Sequence, residues 1–299
     1  MLAAIGTCDA TAVWHGAVAA RVGGILREAP LTPAYRTAVA ATLASPGNAL
    51  SVAPDARWSR LVCTCCTAAG GDWERAVPAG TAVELLMLAL DILDDIEDGE
   101  EHTAQAALGP ARVLNVSTGL LLLAQQALPT ADCPEAARTL LEAGLRACSG
   151  QHDDLAPSAD RRLGFEAALG VAAGKSASLV AAICQPGAQS AGAGTEVQAL
   201  YARFGWHLGL VKQLANDIAA IRPGSVQTDS ARGRPTLPLT AAALQVSGDG
   251  EALDPWRDGP AHLTWAVAEM YRQRALALVP QLAGPAAARG ELVALLAVL

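Results

Sequence analysis

Lysine is almost missing from this chain: of 21 basic residues only two are lysines, Lys175 and Lys212. Aromatic residues make up only 4% of the 299 positions, which, with alanine and leucine dominant, favours helix throughout. No alternating β-branched runs of strand type occur, so a sheet protein is not indicated, and no fixed-period repeat argues for a solenoid. No basic face is evident and the net charge is −8, which excludes nucleic acid as a partner. The apolar stretches carry Asp, Gln or Glu before reaching about 20 residues, so no membrane span is expected. The N-terminus shows no charged n-region with a cleavage pattern, so no signal peptide is expected either. Seven cysteines are present, but Cys63, Cys65 and Cys66 lack zinc-ligand spacing. They read as small buried thiols of a cytoplasmic protein.

What is present is alanine, leucine and 52% hydrophobic content, enough to bury one large core. These are strong helix formers, and small residues permit close helix packing. Breaks at 45–48, 129–134, 154–160, 185–194, 222–235 and 246–260 read as helix–helix loops. The expectation is a single all-α domain over residues 1–299.

The chemistry concentrates at one helix end. From Val83 to Leu93 the chain is nearly all helix-forming, with no Gly or Pro, and Asp91, Asp94, Asp95 and Asp98 follow at i, i+3, i+4 and i+7. Four carboxylates on one face, at the end where the helix dipole is already negative, cost free energy unless a cation compensates. Hard oxygen donors suit Mg²⁺, which keeps several waters and joins one or two carboxylates to substrate phosphates.

Asp94-Asp95-x-x-Asp98 resembles the first aspartate-rich motif of trans-isoprenyl diphosphate synthases and class I terpene synthases. Further segments resemble that superfamily in its own order. Gly70–Leu86 resembles the lead-in to the motif helix. Gly150–Asp154 resembles GQxxD, and Gly174–Ser178 resembles GKTAS. Gly209–Asp217 resembles GxxFQxxDD, and Asp229–Pro238 resembles the stretch ending in GKxTLP. The likeness runs from about residue 50 to 240 and implies an isoprenoid synthase-type helical bundle around a central active-site cavity. It also implies a homodimer and an allylic prenyl diphosphate as substrate.

Carried over residue by residue, Asp94, Asp95 and Asp98 would hold Mg²⁺. Lys175 and Arg234 would contact the diphosphate, with Gln151, Lys212 and Gln213 beside it. Asn216 and Asp217 would serve a third ion, giving two to three in all. Leu86, Ala89 and Leu90 stand where the family tunes chain length, and their modest size suits a C15 or C20 chain. Asp91 is an extra carboxylate, either supporting the metals or orienting a water, acceptor or proton. Trp206 lies at i, i+7, i+11 with Gln213 and Asp217 and could line the cavity.

Three departures matter. The second metal motif reads Asn216-Asp-Ile-Ala-Ala220, without its first and last carboxylates. Met87 stands where elongating enzymes place a histidine that binds the second, homoallylic diphosphate. Residues 99–107 hold no arginine where an Arg-Arg pair belongs, although Arg57-Trp-Ser-Arg60 could supply the family's Lys-x-x-Arg. The leading expectation is therefore an enzyme that ionises an allylic diphosphate without elongating it, as a terpene synthase or a prenyltransferase to another acceptor. The alternatives are a chain-elongating synthase with a divergent homoallylic site, and a non-catalytic partner subunit.

Overall fold

A computed structural model of the chain describes residues 7–46, 48–51, 57–97, 99, 107–128, 133–155, 164–223, 236–244, 253–282 and 284–297. Among these residues there is no strand, in agreement with the all-α expectation. The chain divides into two compact units. The first comprises residues 1–141, 183–198 and 283–288, and the second 142–182, 199–282 and 289–299.

In the first unit the helices are α1 (Thr7–Glu28), α2 (Pro33–Leu43), α3 (Arg57–Ala68), α4 (Val77–Glu97) and α5 (Pro110–Ala127). A 3₁₀ turn, Trp73–Ala76, leads directly into α4. Residues 79–89 of α4 and Ile92 are all buried, so this helix is apolar on every side and forms the unit's centre, packed by α5, α3 and α1. Each Leu, Met or Ile sealed there contributes about 1.5–3 kcal/mol relative to exposure. That burial holds a helix whose last turn is crowded with carboxylates. Polar contacts fix its neighbours: Ser117 of α5 donates to the Ala89 carbonyl at 2.8 Å. Buried Glu84 accepts the Ser59 N–H at 2.7 Å, satisfying an orphan donor in the first turn of α3.

The remaining helices are α6 (Pro134–Leu155), α7 (Phe165–Ala172), α8 (Ser178–Ser190), α9 (Thr195–Ala220), α10 (Leu237–Leu244), α11 (Pro260–Leu278) and α12 (Ala286–Ala294). A π-helical turn, Ala173–Ala177, joins α7 to α8. In the second unit Ala168, Leu214, Leu237 and Ala268 form a buried cluster that joins α7, α9, α10 and α11, with Phe165, Leu169, Val267 and Tyr271 packed against it.

Two expectations change. The break expected over 185–194 starts only after Ser190, because α8 continues through Pro186 and Gly187. Pro186 forgoes one helical hydrogen bond. Gly187 packs against α3 so closely that a Cβ would lie 2.5 Å from the Val62 carbonyl oxygen. The breakers there serve packing. In addition, Trp73–Glu97 and Phe165–Ser190 are long and apolar enough to cross a membrane by length and composition, contrary to the interruption argument. In the first, 72% of the apolar window is buried within the protein, as a core helix requires; in the second, 50% is.

Candidate active site

In the first unit, Asp94 and Asp95 are half-buried on the last turn of α4, while Asp91, one turn earlier, is exposed. Asp98 lies outside the described residues. Among the described residues no three His, Cys, Asp or Glu side chains converge as a complete metal cluster. The pair Asp94/Asp95 nonetheless fits a hard divalent cation that takes its other ligands from water and phosphate.

The three residues expected to tune chain length share α4. Leu86 and Ala89 are buried and Leu90 is half-buried. Leu86 lines a cavity with Ala82, Ala124, Gln125, Leu128, Ala137 and Leu140, but its volume is only about 10 Å³. That holds one water at most, so this cavity by itself does not take a prenyl tail.

The basic turn at the head of α3 sits beside the middle of α4. The Ser59–Glu84 bond anchors it one helical turn before Met87. Arg60 is half-buried, and of Arg57 only the backbone is described. Residues 100–106, the other part assigned from sequence to a homoallylic pocket, lie outside the described residues. Met87 itself is only 6% exposed.

In the second unit the motifs lock together through small residues and one polar chain. Gly150 packs so close to the π turn that a Cβ would lie 3.2 Å from the Lys175 nitrogen. Gly209 of α9 is tighter still: its Cβ would lie 2.6 Å from the Ala177 Cα, so no other residue fits without backbone movement. A π turn adds a residue to the helix ladder and often marks a functional position; here it carries Lys175. The Lys175 ammonium lies 3.7 Å from the Asp154 carboxylate, both partly buried.

Ser176 donates to the Gln213 side-chain oxygen. Gln213 donates in turn to Asp217 Oδ1 at 2.8 Å, and the Leu237 N–H reaches Asp217 Oδ2 at 3.4 Å. Three motifs far apart in sequence are therefore one hydrogen-bonded unit. Asp217 is only 3% exposed and spends an interaction of each oxygen on the protein, which leaves fewer lone pairs for a cation. Its neighbour Asn216 is exposed, and Lys212 is half-buried. Gln151 is buried, and both its amide atoms lack a protein partner among the described residues, as a side chain awaiting a ligand or water would. His152 and Asp153 are exposed at the end of α6. Arg234 lies outside the described residues.

Sequence reasoning did not assign Glu84, Asp154 or Ser176. The last two lie inside quoted motifs, and their positions beside Lys175 and Gln213 were the available signal. Trp206 does not join Gln213 and Asp217. It lines a separate groove with Arg203, His207 and Arg274.

A family profile described as polyprenyl synthetase matches residues 55–256, about two thirds of the chain. The chain belongs to the polyprenyl synthetase family. Over 210 residues it is 32% identical to (2E,6E)-farnesyl diphosphate synthase of Mycobacterium tuberculosis, covering 66% of this chain and 58% of that protein. Over 234 residues it is 32% identical to geranylgeranyl diphosphate synthase of the same organism, covering 73% and 66%. The polyprenyl synthetase fold is shared with a polyprenyl synthase of Caulobacter crescentus solved with calcium and isoprenyl diphosphate. That match has a TM-score of 0.79 at 22% identity and covers 96% of this chain and 93% of the other.

Proposed function

We propose that this polyprenyl synthetase is a chain-elongating prenyltransferase that ionises an allylic diphosphate and adds isopentenyl diphosphate, giving a C15 or C20 product. This reverses the order reached from sequence, where ionisation without elongation led. The observation that carries the reversal is the similarity to farnesyl and geranylgeranyl diphosphate synthases. The Ser59–Glu84 bond, which ties the turn of Arg57 and Arg60 to α4, supports the same reading.

In this reading Asp94 and Asp95, with Asp98, hold Mg²⁺. Bound metal would neutralise charge on the departing pyrophosphate. In the second unit Lys175 is a fixed cation of the kind a diphosphate needs. Asp154 and the π turn orient its ammonium, and the Ser176–Gln213–Asp217 chain holds the turn in place. Preorganised charge of this kind stabilises the leaving group without reorganisation at the moment of reaction. Asp217 acts mainly by positioning, so Asn216/Asp217 would contribute a weak third metal site at most. Arg57 and Arg60 receive the second diphosphate; Met87 seals the wall without supplying a donor.

A second reading survives on one observation. Met87 is buried and apolar where a donor would be needed, which favours capture of the cation without isopentenyl diphosphate. The deciding experiment is incubation of the purified protein with Mg²⁺ and geranyl, farnesyl or geranylgeranyl diphosphate, each with and without isopentenyl diphosphate. Products are read by mass spectrometry alongside pyrophosphate release. Longer diphosphates formed only with isopentenyl diphosphate support elongation; hydrocarbon or alcohol formed without it would establish the second reading instead.

A further inference from the structure

The second unit has a groove of about 500 Å³, lined by Arg203, Trp206 and His207 of α9 and by Arg274, Ala277, Leu278 and the nearby Gln281. It carries none of the family motif residues. Trp206 lies seven residues before Gln213, about 10 Å along α9 at 1.5 Å per residue.

The groove is lined by both basic and apolar side chains. Ala277 and Leu278 give an apolar floor, and Trp206, 37% exposed, presents a broad indole face. The charge is positive: two guanidiniums line the site beside the His207 imidazole. Arg274 is exposed, with its guanidinium 5.2 Å from the centre of the Tyr271 ring. His207 packs on the same ring, centroid to centroid 5.7 Å. The neighbouring Arg272 has a carboxylate partner, Glu269, at 2.7 Å. Neither Arg203 nor Arg274 has one among the described residues. The His207 Nδ1 is buried with no partner among them. Burial, then Arg274 and Arg203, hold the imidazole below its ordinary pKa. In a chain of net charge −8, such a spot is a local anion trap.

We propose that this groove binds a soluble amphiphilic phosphate, its head between Arg203 and Arg274 and its apolar tail against Trp206 and Leu278. The volume falls in the range of pockets that enclose one small molecule. A concave site of this size takes a single tail, and an acidic chain is repelled from an anionic bilayer, so the ligand is monomeric rather than a membrane surface.

The test uses dodecyl phosphate below its micelle concentration with EDTA present, so that the metal-dependent site is silent. Intrinsic fluorescence is followed in the full chain and in Trp206→Phe. The expected result is a saturable change that Trp206→Phe abolishes and that inorganic phosphate or dodecanol alone does not give. Arg203→Gln/Arg274→Gln should weaken binding at least about tenfold, the lower end for losing charge-assisted hydrogen bonds. Asp94→Ala should leave it unchanged. Equal affinity in the double arginine variant, with unaltered thermal unfolding, would overturn the proposal, as would absence of saturable binding. Co-sedimentation with phosphatidic acid vesicles that depends on the two arginines would overturn the assignment to a soluble ligand.

Discussion

Asp217→Asn separates a positioning carboxylate from a metal ligand. In the structure each carboxylate oxygen accepts an N–H, from Gln213 at 2.8 Å and from Leu237 at 3.4 Å, with the side chain 3% exposed. An amide has one acceptor oxygen; whichever way it turns, its NH₂ faces one of those donors. The loss is one charge-assisted hydrogen bond, about 1.5–3 kcal/mol, and the leftover buried donor adds about 1–3 kcal/mol where relaxation cannot relieve it. Partial relaxation puts the net destabilisation at about 2–4 kcal/mol. For domains of about 150–250 residues, each kcal/mol lowers the Tm by about 2–4 °C, so the melting temperature should fall by roughly 5–15 °C. Circular dichroism melts and urea titrations without added metal would measure this. In activity assays, the Mg²⁺ concentration giving half-maximal rate should move little. Unchanged stability with a tenfold or greater rise in that Mg²⁺ concentration would refute the reasoning and make Asp217 a metal ligand first.

Asp94→Ala should lower turnover by a factor of about 10³ or more, since several kcal/mol of charge stabilisation is lost; retained turnover, read by pyrophosphate release, would sink the metal assignment. Met87→His restores a donor beside the Arg57–Arg60 turn and should lower the KM for isopentenyl diphosphate about tenfold, the scale of one charge-assisted contact; an unchanged KM would mean that the second diphosphate does not bind there. Burial pushes the Cys63 thiol up to about 12 and the Cys66 thiol up to about 11, and holds Cys65 well above the ordinary range. With Ellman's reagent at pH 8, exposed Cys148 should therefore react quickly, and Cys63, Cys65, Cys66 and Cys184 only on unfolding. For His207 the folded pKa lies below the unfolded one, so the unfolded chain binds more protons as pH falls through 6.5. Stability should decline over that range, and His207→Gln should flatten the decline in urea titrations from pH 7.5 to 5.

The central helix was legible because its cause is local: α4 is apolar on every side, and burial follows from that alone. The motifs were legible as an ordered set, but their union was not. The packing of Gly150 and Gly209 on the Lys175 turn depends on absent side chains, and absence has no sequence signature until the facing backbone is known. The π turn is equally invisible, because nothing in residues 173–177 marks an extra residue in the helix ladder. Spacing placed Trp206 on the face of Gln213 and Asp217, yet the first lines an open groove and the last is buried. A shared helix face says nothing about what covers each turn of it.

The same distinction governs the homoallylic site. Counting charges at Met87 and over residues 99–107 reads the pocket as lost, because a sequence comparison scores each position alone. Placement weighs differently. Glu84 is a buried carboxylate, costly unless its oxygens are satisfied, and one of them accepts a backbone N–H of the turn that carries Arg57 and Arg60. That bond ties the turn bearing Arg57 and Arg60 to α4, and in the proposed elongation the two guanidiniums would hold the second diphosphate without the histidine or the Arg-Arg pair. Glu84→Gln therefore tests the idea from the side of the anchor. A neutral amide oxygen still accepts the Ser59 N–H, so the fold should persist, while the weaker hold on the turn should raise the KM for isopentenyl diphosphate more than that for the allylic substrate. Equal rises in both would show that Glu84 supports α4 in general and that the basic turn has no separate role.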